Sequence, residues 1–299
     1  MTYREKIEVW VDREISKGFL IGNILLFIRK TGISANVRRL LVNVQYEKER
    51  KHPTHQMNET KKYFLNRNDE VNANISLLAD DLSKEVYKKM IEFRFTHDKK
   101  NFPSFCVDNS YFVDGITPHE TEGVFIDCGA FTGDSTQAYL KYNNGKYKRI
   151  VCFEPDAVNY TKLRKTFSGY RNIEMINVGV WNQDTELSFC GEGSASSVVD
   201  EVNKKDTIKI KVCSIDNNEY CKDATFIKMD IEGSEYNALC GAVEVIRKNR
   251  PFLAICIYHS DEDMIRLIQW IENLKLNYSF YVRQHSFDVN DTVLYAVPN

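Results

Sequence analysis

The sequence predicts an α/β protein: a mostly parallel seven-stranded sheet finished by a C-terminal antiparallel hairpin, with a helical region before it. Three observations carry this prediction. From about residue 120, short apolar runs alternate with helix-length amphipathic stretches, the pattern of a parallel sheet covered on both faces. Two of those runs, 124–127 and 150–154, end in carboxylates, Asp127 and Glu154. The chain closes on two strand-like runs, 278–283 and 292–297, joined by a short polar loop, so the last strand must run antiparallel to its partner.

The elements follow in order. Residues 1–119 hold few strand signals and are expected to form a helical lobe, with 120–299 as a second domain. The apolar stretch 18–28 is too short for the roughly 20 residues that span a bilayer. It follows Glu5, Glu8, Asp12 and Glu14, unlike the basic start of a secretory signal. The polar run 46–62 contains Pro53 and few apolar residues, so it is expected as a loop. Leu82, Val86, Met90 and Phe93 repeat at helical spacing behind an aspartate or serine cap, which predicts a helix over 80–93. Beyond 120, strands are expected at 123–127, 149–154, 173–178, 185–190, 208–213, 225–230 and 252–258. Helices are expected at 133–143, 157–168, 234–248 and 261–275.

Composition narrows the class. The 43% hydrophobic and 27% charged residues are those of a soluble globular protein, and 299 residues suffice for about two domains. A net charge of −2 gives no electrostatic case for nucleic acid or anionic lipid. The eight cysteines include no C-x-x-C pair, and Cys128, Cys152 and Cys256 lie in apolar runs. Reduced thiols in a cytoplasmic protein are the expectation. The helical half could be a lid, a substrate platform or a dimerisation surface, and any homo-oligomer would form through it.

The glycine-rich turn after the first strand points to a nucleoside ligand. Glu154 follows Gly133 by 21 positions, near the spacing of about 20 at which an acid grips ribose hydroxyls. A dinucleotide would need G-x-G-x-x-G, but Phe131 and Asp134 stand where the second and third glycines belong. Phenylalanine would crowd a diphosphate and aspartate would repel it. Neither obstructs S-adenosylmethionine, which lacks phosphate and carries a sulfonium and an ammonium. A nicotinamide-dependent sugar oxidoreductase fails on the same two residues, while a non-catalytic cofactor-binding scaffold stays open.

A second motif runs from Ile227 to Glu235. Asp230 ends a β-rich run, and Glu232 and Glu235 crowd the start of the next helix. Carboxylates held close raise one another's pKa and mark catalytic sites, although helix-dipole complementation also accounts for the two glutamates. His259 closes the apolar run 252–258 and is placed to take a hydroxyl proton or to cap the following helix. Asp230 and His259 are the candidate base and orienting partner, supported by Glu235. No metal is required, the alternative being a divalent ion on Asp230 and Glu232. Tyr258, Arg283 and His285 are weaker candidates for substrate contact, and 194–197 reads as a turn or a loop over ligand.

The chain resembles the FkbM-type S-adenosylmethionine-dependent methyltransferases. The resemblance rests on Phe125-Ile126-Asp127-Cys128-Gly129-Ala130-Phe131-Thr132-Gly133-Asp134, on Phe153-Glu154-Pro155, on 228–235, on His259 and on 292–296. It implies a Rossmann-like class I methyltransferase fold and O-methylation, often of sugar hydroxyls in surface glycans. By the same resemblance, Asp127, Gly129, Ala130, Phe131, Thr132, Gly133 and Ser135 shape the methionine side of the pocket. Glu154 and Asp156 serve the ribose, and Asn177 and Gly179 lie near the adenine. Ile257 stands where family members often place a carboxylate before the histidine, which weakens a metal assignment that relies on a Glu-x-His pair. The acceptor expected is a small molecule or glycan, as in polysaccharide biosynthesis.

Overall fold

The computed structural model describes residues 35–102, 107, 110–190, 197–198, 207–286 and 289–299. The stretch 18–28 and most of the turn 194–197 lie outside the described residues. In chain order the strands are β1 (Val124–Cys128), β2 (Arg149–Phe153), β3 (Ile173–Ile176), β4 (Gly179–Val180), β5 (Thr185–Cys190), β6 (Ser197–Val198), β7 (Thr207–Cys213), β8 (Phe226–Met229), β9 (Phe252–Cys256), β10 (Tyr278–Gln284) and β11 (Thr292–Pro298). The helices are α1 (Ala35–Lys51), α2 (His55–Asn66), α3 (Asn68–Leu77), α4 (Asp81–Thr96), α5 (Asp134–Tyr142), α6 (Ala157–Thr166), α7 (Glu235–Cys240), α8 (Val243–Asn249) and α9 (Asp261–Asn273). Among the described residues no helix is long and apolar enough to cross a membrane.

The chain divides into two compact units. One holds the described residues up to Lys62 together with Ile91–Phe102; the other holds Tyr63–Met90 and Pro103–Asn299. In the first, Tyr46 meets Phe93 edge to face at 5.0 Å, and Phe102 meets Phe93 in the same way. The run 46–62 is helical on both sides of a break at His52–Thr54, not a loop. Its Glu, Lys, Arg and Gln are good helix formers that leave too few apolar residues for a periodic signal. Pro53 ends only one helix, and the Thr54 hydroxyl accepts the Met57 N–H (3.2 Å) at the start of the next.

In the second unit the main sheet has the order β10-β11-β9-β8-β1-β2-β3. β1 pairs in parallel with both β2 and β8, β8 with β9, and β2 with β3; only β11 runs antiparallel to its neighbours. β1 and β9 are buried at every position because helices cover both faces, hence their continuous apolar runs. Beneath α5, Phe125 stacks on Tyr139 (4.3 Å) and meets Phe226 edge to face (5.0 Å).

The runs 185–190 and 207–213 are not in this sheet. β5 and β7 pair antiparallel in a separate four-stranded sheet, order β4-β7-β5-β6. Their alternation, as in Lys209-Ile210-Lys211-Val212, is that of a sheet with one wet face. The helix expected over 234–248 breaks into α7 and α8 at Gly241, where a Cβ would lie 2.1 Å from the Trp181 carbonyl oxygen.

Part of the region before residue 120 packs into the sheet unit. Asn74 Nδ2 donates to the Ile265 carbonyl (3.0 Å) and to the Tyr87 hydroxyl (3.1 Å), which in turn donates to the Met264 carbonyl (2.8 Å). Asp80 accepts the Ser83 N–H as the cap of α4 (2.7 Å) and pairs with Arg283 at 2.6 Å. Arg283 is thereby spent on holding this helix and does not line the cavity described below. His285 is likewise held between the Val107 carbonyl (2.6 Å) and the Tyr295 hydroxyl (2.7 Å).

Candidate active site

The strand order reverses between β1 and β8, and the carboxyl ends of strands open a crevice at such a point. A cavity of about 930 Å³ lies there. Gly129 and Phe131 line it from the turn after β1, Glu154 and Asp156 from the end of β2, and Asn177 and Gly179 from the end of β3. Residues 209–212 of β7 close it, and Asp230 and Glu232 line it beyond β8.

Glycine is required at the floor of this cavity. Gly129 has φ +78°, and a Cβ there would lie 2.0 Å from the Asp230 carbonyl oxygen. The turn after β1 and the end of β8 therefore touch main chain to main chain. Phe131 also holds a positive φ of 50°, an uncommon conformation that aims its N–H at Glu154 Oε2 (2.8 Å).

Glu154 is the acid of the cavity wall. Its second oxygen accepts the Asp156 N–H (2.8 Å), and its side chain is nearly buried. Burial pushes its carboxyl up to about 7, against the two main-chain N–H bonds that favour the ionised form. Asn177 Nδ2 donates to the Glu154 and Pro155 carbonyls (2.8 and 3.1 Å), fixing the strand end. Asp156 lines the cavity but spends Oδ1 capping α6 through the N–H groups of Val158 and Asn159. An acid at ribose height, a floor open to close approach and a volume within the range of about 300–1,000 Å³ usual for ligand sites fit a nucleoside donor.

Several expected cofactor residues face the interior instead. Asp127 is fully buried; its Oδ2 accepts from Ser135 Oγ (2.6 Å) and Thr136 Oγ1 (2.7 Å), and its Oδ1 pairs with Lys228 Nζ at 3.1 Å. Asp127 and Ser135 thus face each other, because a carboxylate inside a parallel sheet must find partners there. Ala130 is buried, and Gly133 packs so closely on Phe167 that a Cβ would meet its ring at 2.4 Å. Thr132 contributes its carbonyl to Thr166 Oγ1 (3.3 Å). None of these five lines the cavity.

Lys228 is the residue that sequence reasoning passed over. It lies inside β8 and donates to the Gly129 carbonyl (2.8 Å) and the Cys128 carbonyl (3.2 Å). Burial works to lower its ammonium, but the carboxylates of Asp127 and Asp230 outweigh burial and hold it above the ordinary lysine range. Only the pairing of β1 with β8 reveals the site, since an isolated lysine in a strand reads as an exposed position.

Asp230 gathers the catalytic candidates. Its Oδ2 accepts from the Tyr111 hydroxyl (2.9 Å) and its Oδ1 from the Tyr258 hydroxyl (3.1 Å). Burial alone would raise this carboxyl, but Lys228, His259 and the two phenols outweigh it and hold it below the usual range. His259 Nε2 stands 3.5 Å from Asp230 Oδ1 and 3.6 Å from Glu232 Oε2, while Nδ1 stands 3.0 Å from Glu235 Oε1. Burial lowers the imidazolium, but the three carboxylates raise it to about 9. Ser260, not His259, caps α9 by accepting the Asp263 N–H (3.0 Å). Glu235 also accepts the Ile231 N–H (2.8 Å). Asp230 and Glu232 reach the cavity; His259 and Glu235 stand behind them. Tyr111, absent from the sequence-based candidates, enters from a loop 119 positions upstream of Asp230.

Comparison with known proteins agrees with this architecture. A Methylobacillus flagellatus protein, methyltransferase FkbM, is 26% identical over 79% of this chain, with a TM-score of 0.67. The match spans 60% of that protein's length. More remote are a Streptococcus mutans protein in complex with SAH (12% identity, TM-score 0.39, 60% of this chain and 90% of that one) and Aeropyrum pernix fibrillarin with natively bound S-adenosyl-L-methionine (15%, 0.38, 60% and 67%). Both are too distant to carry an argument. No curated protein matches. The methyltransferase FkbM domain matches residues 127–280, more than half of the sequence. The chain belongs to the FkbM methyltransferase family, whose methyl donor is S-adenosylmethionine.

Proposed function

We propose that this protein methylates a hydroxyl oxygen, that of a sugar in a surface glycan or its precursor, within the domain 120–299. The single observation that carries this reading is the position of Asp230: it lines the same cavity as Glu154, at the end of the strand beside the glycine turn. A donor gripped at its ribose by Glu154 and a hydroxyl presented to Asp230 would then share one enclosed space. The sugar and the glycan come from family habit alone.

Bound S-adenosylmethionine supplies a methyl group already activated by its sulfonium. The protein's task is alignment and proton removal. Gly129 and Phe131 would seat the donor from below, and Glu154 would accept the ribose hydroxyls. Alignment of this kind contributes about 7–11 kcal/mol in well-oriented systems. As the oxygen–carbon bond forms and the carbon–sulfur bond breaks, the hydroxyl proton passes to the Asp230 carboxylate. His259, positioned by Glu235, would orient Asp230 from behind. Each oxygen of Asp230 already accepts one phenol hydrogen bond, Oδ2 from Tyr111 and Oδ1 from Tyr258, so the proton would come to a remaining lone pair of the same carboxylate. The test is incubation with labelled S-adenosylmethionine and a panel of free and nucleotide-linked sugars. Label that stays on oxygen through acid hydrolysis supports the reading; label found only on nitrogen or carbon, or none transferred to any sugar of the panel, refutes it.

A further inference from the structure

The cavity has walls of opposite charge. Glu154, Asp156, Asp230 and Glu232 line it from the carboxyl ends of the main sheet, while Lys209 and Lys211 line it from β7 of the smaller sheet. Among the described residues of its lining, these two lysines are the positive charges. Residues two apart on a strand share one face, roughly 6–7 Å from each other along the chain. Lys209 and Lys211 are both exposed, Ile210 between them is half-buried and Val212 is buried. In the β5–β7 register Lys209 stands opposite Ser188 and Lys211 opposite Glu186, and among the described residues neither ammonium makes an ion pair. The nearest other ammonium, that of Lys228, is buried and spent on Asp127.

The main-chain positions that usually meet an anion in such a sheet are closed. Glycine turns and helix starts hold phosphate through free N–H groups. Here the Phe131 N–H in the turn goes to Glu154 Oε2 (2.8 Å), and the Asp156 N–H goes to Glu154 Oε1 (2.8 Å). At the start of α6, the N–H groups of Val158 and Asn159 go to Asp156 Oδ1 (3.0 and 2.8 Å). Beyond β8, the Ile231 N–H goes to Glu235 Oε1 (2.8 Å). Each of these donors is matched by a carboxylate of the chain, and that carboxylate repels a second anion. An anionic group entering the cavity therefore finds positive charge on β7. The donor's sulfonium and ammonium suit the carboxylate wall instead. Its single carboxylate belongs to the methionine end, whereas β7 joins the cavity through the pairing of Val212 with Gly179, on the side expected to hold the uncharged adenine.

We infer that Lys209 and Lys211 form an anion subsite for the acceptor, and that the acceptor is a sugar carrying a phosphate ester, the activated precursor of a glycan and not the finished polymer. Two ammonium groups on one strand face match the two charges of a diphosphate better than the single charge of a carboxylate. An acceptor with its hydroxyl at Asp230 and its charge at β7 has to be extended, as a sugar diphosphate ester is. The inference rests on the proposed function for the sugar, but the anion subsite is tested by binding alone.

Inorganic pyrophosphate is titrated by calorimetry into the protein saturated with S-adenosylhomocysteine, which keeps the donor site filled. Uptake of one equivalent is expected. The double variant Lys209→Gln with Lys211→Gln should weaken it by at least about tenfold, the loss of one or more hydrogen bonds between charged groups, and Lys209→Arg with Lys211→Arg should retain it. Both positions are exposed, and S-adenosylhomocysteine binding by each variant establishes that it is folded. A parallel assay compares kcat/KM for a free sugar, its 1-phosphate and its nucleotide-linked form. A higher value for either ester is expected, and the better ester identifies the source of the phosphate. No pyrophosphate uptake by the wild type, or equal uptake by the glutamine pair, overturns the subsite. A loss of S-adenosylhomocysteine affinity as large as the loss for pyrophosphate also overturns it, by assigning the lysines to the donor. Methyl transfer to oxygen of the free sugar as efficient as to its esters would overturn it while leaving the proposed function standing.

Discussion

Lys228 and Asp127 form an ion pair of 3.1 Å in which neither side chain is more than 2% exposed. The same ammonium donates to the Gly129 carbonyl at 2.8 Å, so the charge that neutralises the first strand's acid also fixes the turn forming the cavity floor. Lys228 therefore joins the glycine turn to Asp230, two residues further along the chain. The first consequence concerns stability. Lys228→Met leaves Asp127 buried and unpaired, which costs about 3–5 kcal/mol. Urea unfolding measures this, and the double variant with Asp127→Leu should recover part of the loss. A single variant as stable as the wild type would show that the pair is not what holds the two strands.

Gly129→Ala tests the contact between the glycine turn and β8. The new methyl would have to move the Asp230 carbonyl, and alanine must also adopt the positive φ of +78°. A backbone penalty of about 1–3 kcal/mol is expected, with a loss of S-adenosylhomocysteine affinity measurable by calorimetry. Wild-type affinity in this variant would mean that the turn relaxes freely.

Glu154 gives cofactor binding a pH dependence. In the proposed binding mode ribose hydroxyls donate to the ionised carboxylate, and burial has raised this group to about 7. Affinity should rise about tenfold between pH 6 and pH 8, since the ionised fraction grows from roughly a tenth to nine-tenths. Glu154→Gln should bind weakly and without that slope. The same shift acts on folding in the opposite direction. Between about 4.5 and 7 the folded chain binds more protons at Glu154 than the unfolded one, so this group's contribution to stability falls as pH rises through that window. A flat affinity profile in the wild type would remove Glu154 from the ribose.

Asp230→Asn separates binding from transfer. Loss of the proton acceptor should lower kcat/KM by about 10²–10⁴-fold while S-adenosylhomocysteine still binds. Tyr111→Phe removes one of the two phenols on Asp230 and should cost less, about tenfold, the worth of one hydrogen bond to a charged group. Single-turnover rates with a saturating donor report both, and an Asp230→Asn enzyme of full activity would reassign the proton acceptor.

The legible part of the fold was the part whose signals are local. Continuous apolar runs marked β1, β2, β8 and β9, and the paired C-terminal runs marked the hairpin of β10 and β11. The polar helices on either side of Pro53 were hidden because a helix with few apolar residues has no hydrophobic period to read. The site divided in the same way. Glu154, Gly129 and Asp230 sit at strand ends, where position follows from the strand itself. Ser135 and Asp127 looked like ligands of the cofactor because sequence order does not say which way a side chain turns.

By itself the sequence determined the class of sheet and marked the glycine turn and the acid that are proposed to seat the donor, all written in contiguous residues by type and spacing. Tertiary structure alone decided that Lys228 binds Asp127 across two strands, that Tyr111 reaches Asp230 from 119 positions away, and that His259 stands among three carboxylates. Those relationships arise where strand pairing brings distant segments within a few ångströms in a region closed to water. There a charge must be matched by whatever the fold places beside it, and no local pattern records which partner that is.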